Sequence, residues 1–325
     1  MNDTGGGRRR TAVSAPELLR RARDGQAAAV GRLISLVEDA SPLLREVMAA
    51  CAPYVGHAHV VGLTGAPGVG KSTSTNALVG QLRAEGRRVA VLAVDPSSPF
   101  SGGALLGDRI RMSQHSTDPG VFIRSMASRG HLGGLAWSTP QAIRVLDAAG
   151  FDTVLVETVG VGQSEVEIAG LADTTAVLLA PGMGDGIQAA KAGILEIGDL
   201  YVVNKADRPG ADVVRRDLRS MLALAERAEG GWKPPVLRTT AASADGFAEV
   251  SAALADHLAW LTSHGELGRR RALRARREVE AIAVARLRER WGDLGGHTAL
   301  DELAEQVATG RTDPHSAADA LLAQS

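Results

Sequence analysis

The densest chemistry in the chain stands at Gly65-Ala66-Pro67-Gly68-Val69-Gly70-Lys71-Ser72, which fits the pattern GxxxxGK[ST]. The run lies between an apolar segment ending near Thr64 and a helical pattern beginning near Lys71. That strand, loop and helix context is what a phosphate-binding loop requires. Glycines let backbone N–H groups turn inward around phosphate oxygens without a Cβ in the way. The helix N-terminus adds partial positive charge at the same point. On this pattern residues Gly65, Ala66, Pro67, Gly68, Val69, Gly70, Lys71, Ser72 and Thr73 hold a nucleotide. Lys71 reaches the β- and γ-phosphates, and the Ser72 hydroxyl ligates Mg²⁺.

Phosphate binding does not choose a base; Asn204-Lys205-Ala206-Asp207 does. It follows the apolar run Leu200–Val203, so it sits at the carboxyl end of a strand, about 130 residues after the phosphate loop. A carboxylate at Asp207 accepts two N–H bonds from guanine, from N1 and the exocyclic amine, an arrangement that adenine does not offer. Asn204 holds the loop and the base edge, and the Lys205 stem lies along the base plane. After the next strand, the small-residue turn Thr240-Ala241-Ala242 offers a backbone N–H, at Ala241, to the guanine oxygen.

A metal and an attacking water also need carboxylates near the γ-phosphate. Three acids follow strands: Asp95 after Val91–Val94, Glu157 after Val154–Val156, and Asp108 beyond Ser101-Gly102-Gly103. With Ser72 they form the expected metal set. Lys71, Glu157 and Asp108 are the expected catalytic groups. Gly160 is placed to offer its N–H to the γ-phosphate, and Gln163 reads either as a residue that orients water or as an ordinary polar loop residue. The glycine-dense stretch 182–188 reads as a moving segment or as a plain strand-to-helix turn. The histidines are scattered, with no ligand spacing, and His57 and His59 read as structural.

These loops need a scaffold, and the pattern supplies one. Short apolar runs at His59–Thr64, Val89–Val94, Val121–Ile123, Thr153–Val156, Thr174–Leu179, Leu200–Val203 and Val236–Thr239 alternate with helix-compatible segments at 71–85, 103–115, 134–149, 187–197 and 210–228. Buried runs alternating with helices give an α/β fold: a doubly wound, mostly parallel sheet with helical N- and C-terminal extensions. Ligands bind such sheets at the carboxyl ends of the strands. Residues 1–55 read as a tail plus a helical segment, with a Ser14–Glu17 capping box. Residues 56–265 read as the nucleotide domain, closed by a helix over about 245–263. Residues 266–325 read as a helical arm. Its Arg run 269–277 reads as a solvated helix face or, more sharply, as a surface for an acidic partner, and Asp313-Pro314 starts the last helix.

Composition sets bounds on the function. The 325 residues carry a net charge of −1, which argues against a nucleic-acid binder. Aromatics are only 3%, so the core is aliphatic. One cysteine, Cys51, excludes an internal disulfide and a thiolate metal cage. No window approaches ~18 uninterrupted apolar residues, so no membrane span is expected. Residues 1–10 are basic but lack a following apolar stretch, so they do not read as a signal peptide. The expectation is a soluble cytoplasmic protein.

The phosphate loop, Val94-Asp95-Pro96-Ser97-Ser98-Pro99 with Gly102-Gly103 and Gly107-Asp108-Arg109, the stretch Glu157-Thr158-Val159-Gly160-Val161-Gly162-Gln163-Ser164-Glu165, and Asn204–Asp207 together resemble the MeaB/ArgK family of P-loop GTPases. The resemblance covers most of the chain. It implies a Mg²⁺-dependent GTPase that holds GTP or GDP and forms a homodimer. It further implies a chaperone that gates adenosylcobalamin loading of methylmalonyl-CoA mutase and protects that enzyme. Where the family often has a second acid in the loop after Ala180, this chain has Gly186. Two alternatives stay open: an ATPase or kinase linked to basic amino-acid transport, and a metal-insertion GTPase. The first conflicts with the base chemistry of Asp207. The second calls for a His- or Cys-rich tract that the chain lacks.

Overall fold

The structure is a computed structural model that describes residues 13–96, 113–115, 117–128, 138–158, 164–182, 195–224, 230–291 and 298–323. Two compact units divide the chain, Met1–Arg269 and Arg270–Ser325.

The first unit is built on seven strands: β1 (His59–Thr64), β2 (Val89–Pro96), β3 (Val121–Ser128), β4 (Thr153–Thr158), β5 (Thr174–Leu179), β6 (Leu200–Val203) and β7 (Val236–Arg238). All pair in parallel, in the order β3-β2-β4-β1-β5-β6-β7. Parallel strands need crossovers that cover both faces, and the side chains answer to that. Successive residues point to opposite faces. Val60, Ala90, Leu92, Val154 and Val156 pack on one side with α1 (Ala15–Arg23), α2 (Ala27–Glu38) and α3 (Leu44–Cys51). Their neighbours Val61, Leu63, Val91 and Leu155 pack on the other with α4 (Lys71–Ala84). Helix α5 (Thr139–Ala148) and α6 (Ser164–Leu171) join the first face; α7 (Leu195–Ile197) and α8 (Ala211–Leu224) flank β6; α9 (Phe247–Ser263) joins the second face through Phe247, Val250 and Leu254. The doubly wound sheet is therefore as the sequence predicts, and α1–α3 share its core.

Three details differ from the sequence expectation. Strand β3 runs on to Ser128, five residues past Ile123, because Arg124 and Ser125 pair with β2 through Leu92 and Ala93. Polar residues hide this continuation from an apolar-run reading. The Ser14–Glu17 capping box does not form: Ser14 makes no side-chain cap bond, and Arg20 and Arg21 donate to the Glu17 carboxylate instead. Helix α5 is described from Thr139 and α7 from Leu195, later than the 134 and 187 expected; residues 134–137 and 187–194 lie outside the described set.

A polar cluster ties the amino ends of the central strands. His59 Nε2 and His257 Nδ1 lie 2.7 and 2.8 Å from Thr174 Oγ1, and the Thr175 N–H donates to Asp199 at 2.8 Å. This joins β1, β5, α9 and the residue before β6, and gives His59 the structural place its sequence context predicts. All nucleotide-type loops leave from the other, carboxyl, end.

The second unit continues α10 (Glu266–Trp291) and adds α11 (Thr298–Ala308) and α12 (Pro314–Ala323). Asp313 caps α12 by accepting N–H bonds from His315 and Ser316 at 2.9 and 3.0 Å. Among the described residues no helix is long and apolar enough to cross a membrane.

Candidate functional site

The site is assembled where β1, β4 and β6 release their loops. β1 is buried throughout and runs straight into Gly65. Gly65 has φ +146°, and a Cβ there would stand 2.3 Å from the Leu178 carbonyl oxygen of β5. Only glycine passes that point. Gly70, at φ +95°, starts α4, and a Cβ on it would lie 2.5 Å from the Asn204 amide nitrogen. The phosphate loop and the 204–207 loop are thus in direct apposition.

Two bonds lock them. Asn204 Nδ2 donates to the Val69 carbonyl at 2.8 Å, and Lys205 Nζ donates to the Gly68 carbonyl at 2.7 Å. Asn204 is 2% exposed. Its Oδ1 accepts from the Ala241 N–H at 3.0 Å and the Thr239 hydroxyl at 3.3 Å, which brings in the loop after β7. One amide therefore joins three loops. Lys205 sits at φ +56°, a left-handed conformation that a non-glycine residue adopts at a cost. The turn is held by Ala206 N–H on the Thr239 carbonyl and Arg208 N–H on the Lys205 carbonyl, both at 3.0 Å. Asp207 stands exposed on this turn. The Ala241 N–H, expected to face a base, is engaged by Asn204, so a ligand oxygen there shares or displaces that bond.

Lys71 lies across the mouth of its own loop. It is 9% exposed, and its ammonium donates to the Gly65 and Ala66 carbonyls at 2.6 and 3.3 Å. An ammonium held across a glycine-rich loop at a helix N-terminus is a site for an anion. Next to it, Ser72 Oγ donates to Glu157 Oε1 at 2.7 Å. Glu157 is 2% exposed at the end of β4, in register with Leu63 of β1 and Ala93 of β2. A hydroxyl and a carboxylate in contact are the hard oxygen donors Mg²⁺ takes, usually with waters completing its shell.

Asp95 ends β2 in register with Ala127, on the strand next to Glu157. Asp108, Gly160, Gln163 and Gly186 lie outside the described residues. Beside Ser72 and Thr73, a cleft of about 610 Å³ runs along α4, bordered by Asn76, Ala241, Ala244 and Phe247. Gln114 and His115 and the loop after β7 form its other walls. Sequence reasoning missed Thr239 and Thr75. Thr239 directly follows β7, and Thr75 stands three residues after Ser72, the spacing that places Ser72 and Thr75 on one helix face. Among the described residues no group of three or more His, Cys, Asp or Glu could hold a metal ion.

The chain is similar to known proteins along most of its length. Residues 30–293 match the family described as Methylmalonyl Co-A mutase-associated GTPase MeaB. A protein of Pyrococcus horikoshii named as a GTPase is 45% identical over 308 residues, which is 94% of this chain and 96% of that one. The GTPase ArgK of Escherichia coli is 40% identical over 258 residues, 77% of this chain and 78% of its own. The mouse protein named Methylmalonic aciduria type A homolog, mitochondrial, is 37% identical over 269 residues, 81% of this chain and 64% of its own. The crystal structure of a LAO/AO transport system kinase is similar with a TM-score of 0.71 at 29% identity, covering 96% of this chain and 98% of that one.

Proposed function

The chain belongs to the MeaB family of P-loop GTPases, and from that premise we propose that it is a Mg²⁺-dependent GTP hydrolase serving an adenosylcobalamin-dependent methylmalonyl-CoA mutase. In that service it gates cofactor loading and protects the mutase, with nucleotide state as the signal. The observation that carries the nucleotide half is the lock between loops: Asn204 and Lys205 bond the carbonyls of Val69 and Gly68. A base held at Asp207 is thereby held at a fixed distance from phosphates held at Gly65–Ser72. The family description carries the mutase half.

The roles follow from chemistry. Backbone N–H groups of residues 65–73, Pro67 excepted, and the Lys71 ammonium take up charge developing on the γ-phosphoryl oxygens. Lys71 exchanges the Gly65 and Ala66 carbonyls for phosphate oxygens, a stronger pairing in which both partners are charged. Ser72 and Glu157 hold Mg²⁺, with Asp95 and Asp108 as the further acids of the metal set. When bound, the ion neutralises charge on the β- and γ-oxygens. Glu157 or Asp108 orients the attacking water, and Gly160 offers its N–H to the γ-phosphate. Asp207 reads the guanine N1 and amine, and Asn204 and Lys205 hold its loop. An ATP-linked reading, suggested by the transport-kinase name of one similar structure, fits Asp207 poorly, because adenine has no N–H at N1 beside an amine donor for that carboxylate.

Residues 266–325 are proposed as the dimerising arm, 56–265 as the GTPase domain and 1–55 as its helical preface. The protein is proposed to act in the cytoplasm, without nucleic acid or membrane. The test is steady-state GTP turnover with and without purified mutase, together with mutase affinity in GDP and in a non-hydrolysable GTP analogue. Linkage requires that a nucleotide which changes mutase affinity be itself changed in affinity by the same factor. Turnover and affinity that are both indifferent to the partner would overturn the mutase assignment and leave the GTPase.

A further inference from the structure

Glu157 presents two carboxylate oxygens to the first turns of α4, and the two go to different hydroxyls. Ser72 Oγ donates to Oε1 at 2.7 Å, and Thr75 Oγ1 donates to Oε2 at 2.9 Å. Residues 72 and 75 share a helix face at i, i+3 spacing. Thr75 is fully buried and Glu157 is 2% exposed, so both oxygens sit where hydrogen bonds are electrostatically stronger than in water. A glutamate at this strand end reaches one methylene further than an aspartate. That extra reach brings its second oxygen to the helix, where a residue one turn beyond Ser72 meets it.

We propose that Thr75 is a positioning residue for the metal carboxylate: it holds Glu157 through Oε2, so that the other oxygen keeps its aim when the Ser72 hydroxyl turns to the ion. This rests on the reading of Ser72 and Glu157 as the Mg²⁺ pair. The Thr75 hydroxyl has one proton and two acceptors within reach, Glu157 Oε2 at 2.9 Å and the Lys71 carbonyl at 3.0 Å. A helical threonine bonded only to the carbonyl four residues back is a local feature with no bearing on a metal. The two roles part experimentally.

The experiment uses the full-length protein and reads the Mg²⁺ concentration for half-maximal GTP hydrolysis, with GDP affinity in EDTA and thermal unfolding alongside. Thr75→Val removes the donor and keeps the shape. It is expected to raise the half-saturating Mg²⁺ concentration about tenfold to a hundredfold, the range seen when a group that orients a metal ligand is lost. GDP affinity in EDTA is expected to stay as in the wild type. Thr75→Ser restores the hydroxyl and the Mg²⁺ dependence; Thr75→Ala gives the same information should valine disturb the helix. Glu157→Gln is measured in parallel. Wild-type Mg²⁺ dependence in Thr75→Val or Thr75→Ala, or no rescue in Thr75→Ser, overturns the inference. A shift in Glu157→Gln alone then leaves the metal pair standing, whereas no shift in either variant removes the metal pair as well.

Discussion

Asn204→Ala tests the lock between loops most severely. The side chain is 2% exposed and satisfies three groups: the Val69 carbonyl at 2.8 Å, the Ala241 N–H at 3.0 Å and the Thr239 hydroxyl at 3.3 Å. Val69 and Thr239 are themselves 1% exposed. Truncation leaves these groups without their partner. A buried polar group stripped of its partner costs about 1–3 kcal/mol. Ala241 is only half-buried, so water replaces part of that loss. The sum near the lower end of the range is roughly 3 kcal/mol. For a domain of this size each kcal/mol lowers the Tm by about 2–4 °C, so the expected fall is roughly 6–12 °C. Calorimetry on the nucleotide-free protein reads it directly. Asn204→Asp, nearly the same shape, sets an acceptor against the Val69 carbonyl and is expected to fall at least as far. A Tm within about 2 °C of wild type in both variants would refute the lock as a structural joint.

Three further outcomes are expected. Lys71→Ala keeps the far-UV circular dichroism of the wild type and loses single-turnover GTP hydrolysis; hydrolysis at the wild-type rate would remove Lys71 from the phosphate site. Asp207→Asn weakens GTP binding by on the order of 2–4 kcal/mol and favours xanthosine triphosphate, because the amide meets guanine donors with a donor; equal GTP affinity in a binding titration would place the base elsewhere. The third concerns acid stability. The Arg83 guanidinium grips Asp118 through two bonds, at 2.8 and 2.9 Å, and with the Gly120 N–H holds that carboxyl below its ordinary range. A carboxyl whose folded value is lowered stabilises the fold above its unfolded value, near pH 4, and loses that contribution as pH falls through the folded value. Asp118→Asn should therefore flatten the fall in denaturation midpoint below about pH 4, and an unchanged slope would contradict the pairing.

Much of the scaffold can be read from the sequence because each strand is a short buried run with a loop at its carboxyl end. Gly65–Ser72, Glu157 and Asn204–Asp207 are legible for the same reason: type, spacing and place on a strand coincide. What escapes is the pairing between distant segments. Asn204 reads as a residue near a base, yet its amide joins Val69, 135 positions away, to the loop of Thr239 and Ala241. Thr75 reads as one more small residue of a helix until Glu157, 82 positions later, is laid beside it. Arg124 argues against a strand by type; in the fold it is half-buried and its guanidinium donates to Glu38 of α2. Glu17 has the spacing of a capping residue, but two nearby arginines compete for its carboxylate and win. Local patterns name the elements, and long-range polar pairs decide what the elements hold.

The central claim is that the phosphate loop, Glu157 and the 204–207 turn form one guanine-nucleotide site. A crystal structure of the protein with Mg²⁺ and GDP tests it in a single measurement. The expected result has phosphate oxygens within hydrogen-bond distance of Lys71 Nζ and of N–H groups in the loop Gly68–Thr73, Ser72 Oγ on the ion, and the Asp207 carboxylate paired with guanine N1 and its amine. A nucleotide whose base lies away from Asp207, or whose phosphates leave Lys71 on the Gly65 and Ala66 carbonyls, would contradict it.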